Sequence, residues 1–105
     1  MDQFIKLDEL LSKEIIKGGL AGFVQTENLT VAYTQMEPGT AVPLHHHPNE
    51  AIDIVLEGEL EMQIGERTDL LKRGMITVVP GNVPHSAIAK TNCKVITILY
   101  PQRKM

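Results

Sequence analysis

The chain has 105 residues, 43% of them hydrophobic and 22% charged, with a formal charge of -3. That is ordinary globular composition for one compact domain, 1–105; it excludes a disordered or fibrous chain and a second hydrophobic core. Basic residues are scattered, with Arg103-Lys104 the nearest thing to a run, so neither nucleic acid nor an anionic membrane is an expected partner.

The N-terminus, Met1-Asp2-Gln3-Phe4-Ile5-Lys6-Leu7-Asp8, lacks the basic start and apolar core of a signal peptide. No apolar run reaches the roughly 18 residues of a membrane span. A cytoplasmic location is therefore expected, and the single Cys93, which has no internal disulfide partner, fits a reducing compartment. Cys93 reads as a small residue near a loop; a reactive thiol would need more basic support than Lys94 gives.

Residues 1–19 form an N-terminal arm. Leu7, Leu10, Leu11 and Ile15 have helical spacing over 7–17, and Lys17-Gly18-Gly19 would end such a helix. The same stretch also reads as one short helical turn followed by a strand through Glu14-Ile15-Ile16. From Leu20 to Pro101 the pattern is all-β. Strands are predicted over 28–36, 52–56, 60–64, 75–79 and 95–100. Pro38-Gly39, Glu57-Gly58, Gly65-Glu66 and Pro80-Gly81-Asn82 mark turns. Leu60, Met62 and Ile64 alternate with Glu59, Glu61 and Gln63, as in a half-buried strand. Many short, closely spaced strands predict a closed barrel or a two-sheet jelly roll.

Three of the four histidines form one tripeptide, His45-His46-His47; the fourth is His85. On an extended strand, positions i and i+2 share a face. His45 and His47 can point inward while His46 points out, and with His85 they would make a metal cradle. Spacing alone leaves open a surface histidine cluster with an unrelated His85.

Residues 39–58, from Gly39 through His45-x-His47 and Glu50 to Gly58, resemble the first cupin motif. Residues 74–85, from Gly74 through Pro80 to His85, resemble the second. The resemblance covers residues 28–101 and implies a cupin (double-stranded β-helix, jelly-roll) barrel over 20–101. It also implies metal ligation by His45, His47 and His85. Asn82 stands for the family's turn glycine and tolerates the same left-handed conformation. Ala89 stands where the second motif usually has Asn. The family's metal-binding Glu is replaced by Ala51. Glu50 is its neighbour but belongs to the opposite strand face unless a bulge at Pro48-Asn49 turns it inward. Asp53 shares the face of position 51, about 7 Å further along.

The chain is also similar to the single-domain cupins of pectin breakdown, which open unsaturated uronates to linear keto sugars. Val42-Pro43-Leu44-His45-x-His47-Pro48, Pro80-x-Asn82-Val83-Pro84-His85 and Pro101-Gln102-Arg103 carry that likeness. Those enzymes place an Asp six residues before the Arg; here Thr97 stands there and cannot serve as a carboxylate base. Arg103 is a candidate for a substrate carboxylate, with a solvated C-terminal Arg as its plainer reading. Asp53 is a candidate catalytic acid or base.

These residues imply one divalent ion (Zn, Mn, Fe or Ni) and a small-molecule ligand, polar and anionic. The first functional reading is a metal-dependent isomerisation, ring opening or elimination. The alternatives are a three-His dioxygenase and a non-catalytic ligand-binding or sensor cupin. The apolar residues of the arm predict a homodimer.

Overall fold

The structure, a computed structural model, describes residues 2–104. Ten strands follow one short 3₁₀ turn, Leu7–Leu10. They are β1 Lys13–Ile16, β2 Gly19–Gln25, β3 Thr30–Met36, β4 Ala41–His45, β5 Glu50–Glu57, β6 Glu59–Ile64, β7 Arg67–Lys72, β8 Ile76–Val79, β9 His85–Ala89 and β10 Cys93–Tyr100. All strand pairs are antiparallel. They form a six-stranded sheet in the order β1-β2-β3-β10-β5-β8 and a four-stranded sheet in the order β4-β9-β6-β7. The two face each other as a jelly roll, and the hydrogen-bonded ladders do not run continuously around it.

The arm takes the split form, not one helix over 7–17. The β-branched pair Ile15-Ile16 favours extension, and Gly18, at φ 85°, turns the chain so that β1 pairs with β2. The strands predicted at 28–36, 52–56, 60–64, 75–79 and 95–100 are β3, β5, β6, β8 and β10, with ends shifted by one to two residues. β2, β4, β7 and β9 had no individual strand signal.

The core lies between the sheets. Met36, Val55, Leu60, Met62, Leu71, Val79, Val95 and Leu99 are buried together in it. Cys93 is fully buried at its edge, its thiol donating to the carbonyls of Glu59 and Thr91. Burial pushes that thiol's pKa up, which suits a structural cysteine.

Turns carry the left-handed backbone that the sequence marks at Gly39, Gly58, Gly74 and Asn82. Gly58 is the most constrained. Its φ is 89°, and a Cβ there would collide with the backbone carbonyl of Asn92. Gly58→Ala is therefore expected to cost about 2–4 kcal/mol, read as a lower urea midpoint at unchanged slope.

Candidate metal centre

β4 and β9 pair so that His45 lies directly opposite His85. His47 follows two residues after His45 as the chain leaves β4. The ring centroids are 4.2 Å apart for His45–His85, 4.9 Å for His47–His85 and 5.6 Å for His45–His47. One ring nitrogen from each lies within 4.8 Å of the others, so the three could hold a metal ion. His46 is exposed, as the i/i+2 rule requires.

The tautomers are set by the backbone. Nδ1 of His45 lies 2.8 Å from the carbonyl of Pro43, Nδ1 of His47 3.0 Å from that of Asn49, and Nδ1 of His85 2.9 Å from that of Val83. A carbonyl can only accept, so each Nδ1 carries a proton, and in the neutral ring the lone pair is on Nε2. Holding the distal nitrogen by a hydrogen bond is how metal-ligating histidines are oriented. Each contact spans only two residues, so short local turns aim all three rings.

His47 and His85 are 7% and 6% exposed. Burial pushes both pKa values below the ordinary 6.5, against the opposing pull of their carbonyl hydrogen bonds. Both rings are thus neutral at pH 7, the form that ligates metal. In the metal-free protein the unfolded chain binds more protons than the folded chain between the depressed values and 6.5. Stability is complete above about pH 7 and falls as the pH drops below 6.5. The urea midpoint of metal-free protein should be lower at pH 5 than at pH 7.5, and His47→Gln with His85→Gln should shrink that difference.

Beside the histidines a cavity of about 200 Å³ opens between the sheets. Ala51, 2% exposed, forms part of its wall, whereas Glu50 is exposed. The neighbouring position therefore supplies no carboxylate from Glu50. Asp53 is 8% exposed and also lines the cavity. Its charge acts on His85, favouring the protonated ring against the stronger effect of burial.

Register explains the surroundings of Asp53. It pairs with Thr97 of β10 on one side and Thr77 of β8 on the other. Thr97 Oγ1 donates to Asp53 Oδ1 at 2.6 Å, and Thr77 Oγ1 donates to Oδ2 at 3.1 Å. The carboxylate missing at position 97 thus has a counterpart one strand away, directly across the ladder. Thr77 carries no sequence signal of this; only the register reveals it.

Arg103 is exposed and lines the cavity mouth. Its backbone is pinned rather than frayed. Its N–H donates to Thr30 Oγ1 at 2.9 Å, and its carbonyl accepts from Gln25 Nε2 at 3.0 Å. Asn49 Nδ2 donates to the carbonyl of Pro101, while the Asn49 carbonyl accepts from His47. Asn49, Thr30 and Gln25 were not legible as site residues, because their partners lie more than 50 residues away.

Residues 32–99 match the cupin-domain family model. The chain belongs to the cupin family. Among solved structures, it is similar to an RmlC-like cupin from Shewanella frigidimarina NCIMB 400. Identity is 21% and the TM-score 0.91, covering 99% of this chain and 95% of that one. KdgF from Halomonas sp. is similar at 22% identity and TM-score 0.90, covering 99% and 97%. Salicylate 1,2-dioxygenase from Pseudoaminobacter salicylatoxidans, solved with gentisate adducts, aligns at 21% identity and TM-score 0.80. It covers 89% of this cupin and 28% of that chain. A curated relative, an uncharacterized protein of Streptomyces coelicolor, is 26% identical over 81 residues, 76% of this chain and 77% of its own. At these identities the structural likenesses establish the fold, which is the jelly roll expected from the two motifs.

Proposed function

We propose that this cupin holds one divalent ion, Zn, Mn, Fe or Ni, on His45, His47 and His85, and acts on a small anionic molecule. The reaction class is isomerisation, ring opening or elimination. The observation that carries this reading is the set of three Nδ1–carbonyl hydrogen bonds, which leaves three lone pairs converging beside an open cavity. An ion there supplies Lewis acidity toward a carbonyl or carboxylate. Arg103 orients the ligand's carboxylate at the mouth. Asp53 accepts or returns a proton inside the cavity, steadied by Thr77 and Thr97. Val42, Met62 and Leu99 line the cavity and exclude water from the reacting atoms.

The buried acid favours an enzyme over a passive carrier, because a carrier has no need of a carboxylate facing its ligand. Asp53→Asn should then abolish turnover while leaving metal content intact; equal turnover in this variant would remove Asp53 from the mechanism. A second reading, a three-His oxygenase, is favoured by the missing carboxylate at Ala51 and the likeness to salicylate 1,2-dioxygenase. Oxygen uptake by the iron-loaded protein in the presence of small acids separates the two.

The whole chain is read as one domain working in the cytoplasm as a homodimer. Among the described residues no helix is long and apolar enough to cross a membrane. Two apolar rows cross the outer face of the six-stranded sheet. One runs Val24–Val31–Ile98–Ile52–Val78, and the other Ile96–Ile54–Ile76, beyond which Tyr33 is buried with its hydroxyl donating to Asp8 of the arm. Ile76 and Val78 are 58% and 53% exposed on the edge strand β8. Phe4, Ile5 and Leu7 of the arm are exposed too. Apolar rows of this kind suit a two-fold pairing with a second copy. Light scattering should give a dimer at micromolar concentration, and a monomer for Ile52→Glu with Ile98→Glu.

A further inference from the structure

The ionisable groups that line the cavity are the three histidines, Asp53 and Arg103, and most of the remaining lining is hydrocarbon. On the four-stranded sheet, Val42 and Met62 both pair with Ala87 across the ladder and form one wall. On the six-stranded sheet, Val95 and Leu99 flank Thr97 on the same strand face and form the other. Phe23 lines the cavity as well, in the same cross-strand row as Ala32 and Thr97.

The interior acid adds less polarity than its charge suggests. Both oxygens of Asp53 already accept a hydroxyl, and Thr97 and Thr77 direct their protons to it. The carboxylate can take one or two more donors, but it offers none. Thr34 and Ser86 contribute two further hydroxyls to the lining.

We infer that the ligand of this site is a small carboxylic acid with a hydrocarbon body, a cyclic or branched alkyl or aryl acid, and not a polyhydroxylated one such as a hexuronate. The inference rests on the proposed anion-binding metal site and names its ligand class. The head group meets the ion and Arg103; the body lies against Val42, Met62, Val95 and Leu99. A sugar ring would bring several hydroxyls into a space with two spare hydroxyls, Thr34 and Ser86, and an acid already half engaged. Each hydroxyl left without a partner weakens binding on the order of tenfold. The volume, equal to about seven waters, suits a single six-membered ring with its carboxylate.

Isothermal titration of cyclohexanecarboxylate and galacturonate into cobalt-loaded and metal-free protein tests this. The two acids share charge and ring size and differ in hydroxyls. Cyclohexanecarboxylate should bind the loaded protein about a hundredfold tighter. If the chain takes up no cobalt, the metal reading fails, and the ratio in metal-free protein alone decides the ligand class. Galacturonate binding as tightly as cyclohexanecarboxylate, or neither acid binding in either form, overturns the inference. Val95→Thr puts a hydroxyl on the wall at nearly constant volume and should narrow the ratio several-fold. An unchanged ratio in that variant places the ligand away from this wall and overturns the assignment.

Discussion

Protein purified without a histidine tag is expected to carry one divalent ion per chain, and His45→Ala, His47→Ala or His85→Ala to carry almost none. The three imidazoles each offer one ligand nitrogen to an ion in this position. Disturbing even the hydrogen bond behind one ligating histidine costs about 10–100-fold in affinity. Removing a ring should therefore cost roughly a hundredfold or more, enough to empty the site during purification. Glu50→Ala should leave the metal untouched, because that side chain is exposed on the far face of β5. Asp53→Ala should change metal content little, since its oxygens are engaged by Thr77 and Thr97. Elemental analysis of the five variants, with circular dichroism to confirm folding, gives the answer. Loss of metal in Glu50→Ala equal to that in the histidine variants would mean that β5 enters with Glu50 inward and that the site has four ligands.

How much of this is legible in sequence depends on what each strand faces. β6 reads clearly because one face is buried and the other wet, so Leu60 and Met62 alternate with charged residues. β5 and β10 read clearly because both of their faces are apolar, a feature that also marks the outer sheet face. β4 is disguised by Pro43, which argues against a central strand and is tolerated here at the sheet edge. β7 is an edge strand with only Leu71 buried, so Arg67-Thr68-Asp69 carries no period. β9 is short, and its alanines pack closely without the bulk that marks a strand. The ligand triad is legible because it depends on i/i+2 spacing and two local motifs. The Thr97–Asp53–Thr77 row and the pinning of Arg103 are not, because they depend on pairing between segments 24 to 78 residues apart.

Register also changes the meaning of Thr97. Read along the chain, it is a lost carboxylate and weakens the case for catalysis. Read across the sheet, it is a hydroxyl that holds a carboxylate on the adjoining strand, at the same level of the cavity. The cavity thus contains an acid, carried by β5 and not by the last strand.

Ala51→Glu is expected to tighten the metal by at least tenfold and to weaken carboxylate ligands by about a hundredfold. Ala51 is 2% exposed, lies on the cavity wall with the three histidines, and pairs with Leu99 and Val79. A carboxylate placed there adds a fourth, charged donor to three neutral ones. It also puts a negative charge within a few Å of where an anionic ligand binds. Two like charges 4 Å apart repel by about 4 kcal/mol at an effective dielectric near 20; solvent at the mouth reduces this, which leaves about 2–3 kcal/mol. Ala51→Gln supplies similar bulk without charge and should leave anion binding within a few-fold of the original, which separates electrostatics from crowding. Chelator competition measures the first effect, and titration with cyclohexanecarboxylate the second. If Ala51→Glu and Ala51→Gln behave alike in both measurements, position 51 does not border the ion. The open ground left by the missing carboxylate would then not be where the ligand binds.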